Sequence, residues 1–281
     1  MNNADSQLLP VVIWALFFLA LNLTLRWKLP IPGNITNKTT TKSQDHIRWE
    51  YTALYGTLVF STMINIICFY LWQLNGICYI RQNIVGEEHL LAFALGYYIT
   101  DGILGVIYKF NDSLINFHHV QCFLIILYAL VKGKYASVLI WGLFIAEISN
   151  PFLIAMKILS NFKGLKLYET ISGIAFSVVF LITRTYFVWS GAYPLFESQA
   201  TLAIKINFAV IWYLSLIWCY MIINMLLKEI LALTGNWTIQ CCYQALKSVR
   251  TNIRVKTSLY TIFGLATFGK VLINWTHESI I

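Results

Sequence analysis

Five ionisable residues interrupt otherwise apolar stretches of this chain: Asp101, His118, His119, Glu147 and Arg184. An ionisable side chain inside a membrane span is costly to keep, so each one marks a candidate site. The His118-His119 pair offers a general base, an acyl acceptor or a metal ligand, and a carboxylate such as Asp101 can fix an imidazole tautomer. Neighbours on a helix point about 100° apart, so at most one of the two imidazoles faces a given partner. The competing structural role is a histidine that ties two helices together through a hydrogen bond to Asp101 or to a carbonyl.

Helix rise gives approximate depths. Asp101 lies about 10 Å, His118 about 6 Å and Glu147 about 14 Å from the inner ends of their stretches. Ser149 and Asn150 are slightly shallower than Glu147. Antiparallel neighbours at similar depth can touch, so these groups are expected to share one polar layer. Arg184 lies about 25 Å from its inner end. Two outcomes are open to it: snorkelling to the outer surface, or turning inward to balance Glu147. In the run Glu147-Ile-Ser-Asn150-Pro151, the proline lacks an N–H and predicts a kink. The kink frees a carbonyl near Glu147 that Ser149 and Asn150 are expected to satisfy. Such a kink lines a cavity or serves packing alone.

The elements that must position these groups follow from composition. The chain has 281 residues, 58% hydrophobic and only 11% charged, against about 25% charged in soluble domains. Mean hydropathy is +0.67. The expected fold is all-α, a polytopic transmembrane bundle of seven spans near 8–25, 51–74, 90–108, 114–131, 135–156, 167–188 and 204–227. A weaker eighth candidate at 257–275 is interrupted by Lys270 and either spans or lies in the interface. Leu8–Leu25 reads as an uncleaved first span, because no positive charge precedes it and Arg26 and Lys28 follow.

The net charge of +8 does not indicate nucleic acid, because the basic residues sit in short loops between apolar runs. Arg26, Lys28, Arg48, Lys109, Lys157, Lys166 and the tail up to Lys256 fall on one side. Arg81, Lys132, Lys134 and Lys205 fall on the other. The asymmetry places the first side in the cytoplasm and the N-terminus outside. The sequons at Asn34 and Asn37 would then stay unglycosylated. Trp49, Tyr51, Trp72 and Tyr135, near span ends, are expected to anchor at the interface. Cysteine spacing indicates neither a disulfide framework nor a metal site, and Cys122 reads as a small apolar residue.

Several enzyme classes do not fit. The five histidines are too few for a desaturase-type di-iron centre. No facing histidine at matching depth is available for a haem. A zinc site from His118, His119 and Asp101 or Glu147 is conceivable, but no metal or cofactor is expected.

Taken in order, Asp101, the His118-His119 pair, the segment 147–153 and Arg184 resemble the TLC-domain family, which includes ceramide synthases and translocon-associated TRAM proteins. The resemblance covers residues 48–230, leaving 1–47 as an N-terminal span with a basic loop and 231–281 as a basic tail. The small non-synthase members look most similar. Synthases carry a His-Asp-x-x-Asp pattern at the later segment, where this chain has only Glu147 and Asn150, which argues against N-acyl transfer. The resemblance implies a protein that binds, senses or helps handle membrane lipids through a polar cavity in the inner-leaflet half. Asp101, His118 and His119 would be its reactive groups if it catalyses lipid acyl transfer or hydrolysis. Glu147, Ser149, Asn150 and Arg184 would contact the lipid. The expected setting is the endoplasmic reticulum or secretory pathway. The alternative is a non-catalytic accessory subunit among other membrane-protein subunits, for example in the mitochondrial inner membrane.

Overall fold

In a bilayer every backbone N–H and C=O must be satisfied within the protein, so apolar runs of about 20 residues become helices. A computed structural model describes residues 3–29, 44–162 and 164–234. The eighth candidate at 257–275, the tail beyond Thr234 and the two sequons lie outside the described residues. The order is α1 (Asn3–Lys28), α2 (Gln44–Asn75), α3 (Val85–Tyr108), α4 (Ser113–Lys132), α5 (Ala136–Glu147), α6 (Asn150–Leu159) and α7 (Lys166–Ile182). A π-helical turn (Thr183–Phe187), α8 (Val188–Glu197) and α9 (Leu202–Thr234) follow. Among the described residues, seven stretches are long and apolar enough to span: Leu8–Lys28, His46–Asn75, Val85–Tyr108, Ser113–Lys132, Ala136–Leu159, Lys166–Tyr186 and Leu202–Leu227. The chain divides into one unit up to Ile204 and a second from Lys205 onward. α9 belongs largely to the second, and its Ser215 hydroxyl donates to its own Ile211 carbonyl at 2.9 Å.

Within the first unit α3 is the enclosed helix, in contact with α1, α2, α4 and α5. α1 runs parallel to it. Gly96 makes their approach close: a Cβ there would lie 2.7 Å from the Ala15 nitrogen. One turn on, the Thr100 hydroxyl donates to the Ala15 carbonyl at 3.0 Å. α2 runs antiparallel to α3, with Phe60 stacked on Tyr97 at 3.7 Å between centroids and Phe18 of α1 edge-on to both rings. Packing of this kind must supply cohesion, because lipid offers apolar side chains no less favourable a surrounding.

The ends are fastened differently. At one end the Asn83 amide donates to the Ala129 carbonyl at 3.0 Å, and its oxygen accepts from the Ala136 N–H at 2.8 Å. Arg81 pairs there with the buried Glu87. At the opposite end, which carries Arg26, Lys28 and Lys109 and is called the basic end below, Arg26 lies over the Trp49 ring and Trp49 stacks on Tyr108.

This packing changes the part played by the aromatics at span ends. Trp49, Tyr51 and Tyr135 are buried, and Trp72 packs on Phe144. The rings of Trp49 and Trp72 hold helix to helix, and Tyr51 packs with Ile47 and Tyr55 of its own helix. At the basic end Trp27 is 86% exposed.

Candidate functional site

On α3, Tyr98 and Asp101 are three residues apart and share a face. Asp101 is 8% exposed. Its Oδ2 lies 3.1 Å from Nδ1 of His119 on α4. The approach is poorly aligned for a hydrogen bond, and Nδ1 makes none among the described residues. We therefore read the contact as electrostatic, with its strength set by the imidazole's protonation.

The same carboxylate oxygen accepts from the Asn111 amide at 3.3 Å. The connection from α3 to α4 explains how. Lys109 takes a left-handed conformation (φ 51°) that ends α3, and Asn111 folds back over Gly105. A Cβ on Gly105 would lie 2.5 Å from the Asn111 amide nitrogen. Asp112 then caps α4 by accepting from the Ile115 N–H at 2.8 Å, which sets the rotation of the histidine-bearing turn.

His118 points elsewhere. Its ring nitrogens lie 3.6 and 3.9 Å from the Cys122 sulfur one turn on, and it is within electrostatic reach of Arg184. The two imidazoles thus serve different neighbours, as adjacent positions on a helix must.

The second half of the layer forms where the fifth span breaks. Pro151 has no N–H for the Glu147 carbonyl, and the helix gives way at Ile148–Ser149. Glu147, 4% exposed, accepts from the Tyr98 hydroxyl at 3.1 Å and from the Asn150 amide at 2.7 Å. Arg184 turns inward: it is 5% exposed, its Nη2 donates to the Ala146 carbonyl at 2.8 Å, and it lies over the Phe180 ring. In the loosened turn, therefore, Arg184 engages a backbone carbonyl, whereas Asn150 binds the Glu147 carboxylate. The Ser149 hydroxyl, fully buried, has no partner among the described residues.

The π-helical turn that carries Arg184 is a form often found at functional sites. Tyr98 bridges the two halves, packing 5.4 Å from the His119 ring while bonding Glu147. Through Tyr98 the Asp101–His119 pair thus joins Glu147 and Asn150, and Arg184 meets the same turn at the Ala146 carbonyl. His118 lies against Cys122 on the same helix, and the Ser149 hydroxyl lies two residues from Glu147. Among the described residues, no three His, Cys, Asp or Glu side chains converge as a metal site requires. Chemically the layer can accept hydrogen bonds at two carboxylates and offer a guanidinium beside them.

Sequence reasoning missed Tyr98, Asn111 and Cys122. Tyr98 was signalled by its position three residues before Asp101, and Cys122 by its place four residues after His118. Asn111 had only Gly105 as a cue.

A bundle of apolar spans with such a layer defines a polytopic membrane protein. The family model of the TLC domain, the domain of TRAM, LAG1 and CLN8 proteins, matches residues 11–242. The chain belongs to the TLC-domain family. No individual curated protein matches it.

Proposed function

We propose that the chain binds a membrane lipid, and thereby senses or helps handle it, with the lipid's polar group meeting Asp101, His119 and Glu147. The observation that carries this reading is two carboxylates, Asp101 and Glu147, buried within apolar spans and linked through Tyr98. Ionisable groups kept at such depth face partners or ligands, and kinship with lipid-handling TLC proteins makes a lipid the fitting ligand. The basic loops put this layer in the cytoplasmic half of the bilayer. The membrane is that of the endoplasmic reticulum or secretory pathway.

Binding without turnover is favoured by the segment 147–150, which lacks the paired aspartates of the synthases. The test is extraction of the full chain in mild detergent and identification of retained lipid. One lipid class should stay with the wild type and be lost from Asp101→Asn and Glu147→Gln. Equal retention by all three would overturn the assignment. Replacing both His118 and His119 with Ala tests the catalytic version: unchanged cellular lipid composition alongside normal folding would sink it.

A further inference from the structure

At the basic end lies a second constellation, separate from the polar layer. Trp49 of α2 is 3% exposed. The Arg26 guanidinium of α1 sits 4.5 Å from its ring centroid. On α3, Tyr108 stacks on the same indole at 4.3 Å and 21°. Three helices thus hold the ring in place. Yet the indole nitrogen, itself buried, has no acceptor among the described residues.

An indole N–H is a donor only. Buried without an acceptor, it forfeits a hydrogen bond that water would supply. What completes it must bring an acceptor, and the adjacent guanidinium favours one with negative charge. Arg held against a ring keeps its N–H fork in plane, a geometry suited to phosphate oxygens.

The surroundings are cationic: Lys28, Arg48 and Lys109 are exposed, and Lys109 follows Tyr108 directly in its left-handed turn. Glu50 lies 3.9 Å from His46, and Asp112 caps α4.

We propose that Arg26, Trp49 and Tyr108 form a binding site for the phosphate of an anionic phospholipid. The source is lipid rather than free phosphate because the site lies at the helix ends, where headgroups sit. Deeper on α3, Ile103, Val106 and Ile107 are exposed and offer an apolar track for an acyl chain. Basic residues at this level also attract anionic lipid from a distance. The site does not depend on the lipid proposed for the Asp101 layer.

The test uses the full-length chain in phosphatidylcholine nanodiscs titrated with phosphatidic acid, with bound lipid counted by native mass spectrometry. Trp49→Phe keeps an aromatic ring between its neighbours and removes the N–H together with part of the indole. Arg26→Gln removes the charge. Each should weaken phosphatidic acid binding about tenfold, the loss of one hydrogen bond to a charged group. Trp49→Phe should still unfold cooperatively, at a somewhat lower temperature, Asp101→Asn should bind phosphatidic acid as the wild type does, and excess inorganic phosphate should not compete. Wild-type binding by a folded Trp49→Phe variant would overturn the site. Competition by inorganic phosphate would overturn the lipid as its source.

Discussion

Arg184 and Ala146 meet across two spans, the guanidinium donating to the carbonyl at 2.8 Å one residue before the buried carboxylate of Glu147. The contact satisfies backbone in the turn that Pro151 loosens and places a cation beside an acid in one step. Arg184→Ala would strand the Ala146 carbonyl and remove the cation. Its expected cost is about 1–3 kcal/mol, the price of a buried polar group left unpaired, read as a lower melting temperature in detergent. Arg184→Lys should not restore it fully, since one ammonium cannot reproduce the planar fork. An unchanged melting temperature for Arg184→Ala would show that the contact contributes nothing.

Glu147 has two donors aimed at it. Glu147→Gln keeps one acceptor oxygen and the volume, so its stability loss should be small. Glu147→Leu orphans the Tyr98 hydroxyl and the Asn150 amide and should cost about 1–3 kcal/mol for each group left unpaired. Chemical or thermal unfolding in micelles orders the two variants. A leucine variant as stable as the glutamine variant would contradict the geometry.

Asp101 and His119 should show coupling. In a double-mutant cycle of Asp101→Asn and His119→Gln, their stability effects should be non-additive by about 0.6 kcal/mol, typical of polar contacts between membrane helices. The cycle built with His118→Gln instead should be additive, because His118 faces Cys122. Equal coupling in both cycles would mean that the histidines do not divide their partners.

Gly96→Leu should separate α1 from α3. The added side chain meets the Ala15 backbone, which has no rotamer to yield, so the expected loss is about 1–3 kcal/mol, as for overpacked cores. Gly105→Ala should be milder, because it meets the flexible end of Asn111, and should act by displacing that amide from Asp101. Protease resistance of the detergent-solubilised variants ranks them.

Much of the fold was legible because hydropathy reports burial in lipid directly. The spans from residue 8 to 227 follow it, and Pro151 gave away the break in the fifth. The site was less legible. Depth along a helix is readable from numbering, which brought Asp101 and Glu147 to the attention of one layer. Rotation about the helix is not, so the sequence left open which imidazole meets Asp101. Capping by Asp112 and the backward fold of Asn111 decide it. Arg184 stayed ambiguous between snorkelling and turning inward because a π-helical turn shifts its direction, and nothing in residues 183–187 announces one. Trp49 and Tyr135 were misjudged for a related reason: aromatic rings near span ends suit both lipid interface and helix packing, and neighbours in space select between them.

The enclosure of α3 bears on how anything enters. Between α1, α2, α4 and α5 that helix is held on most of its length, Gly96 leaves no slack against α1, and the face at Ile103, Val106 and Ile107 looks outward. It is the stator of the bundle. An entrant bound for Asp101 must therefore displace the elements around α3 rather than α3 itself.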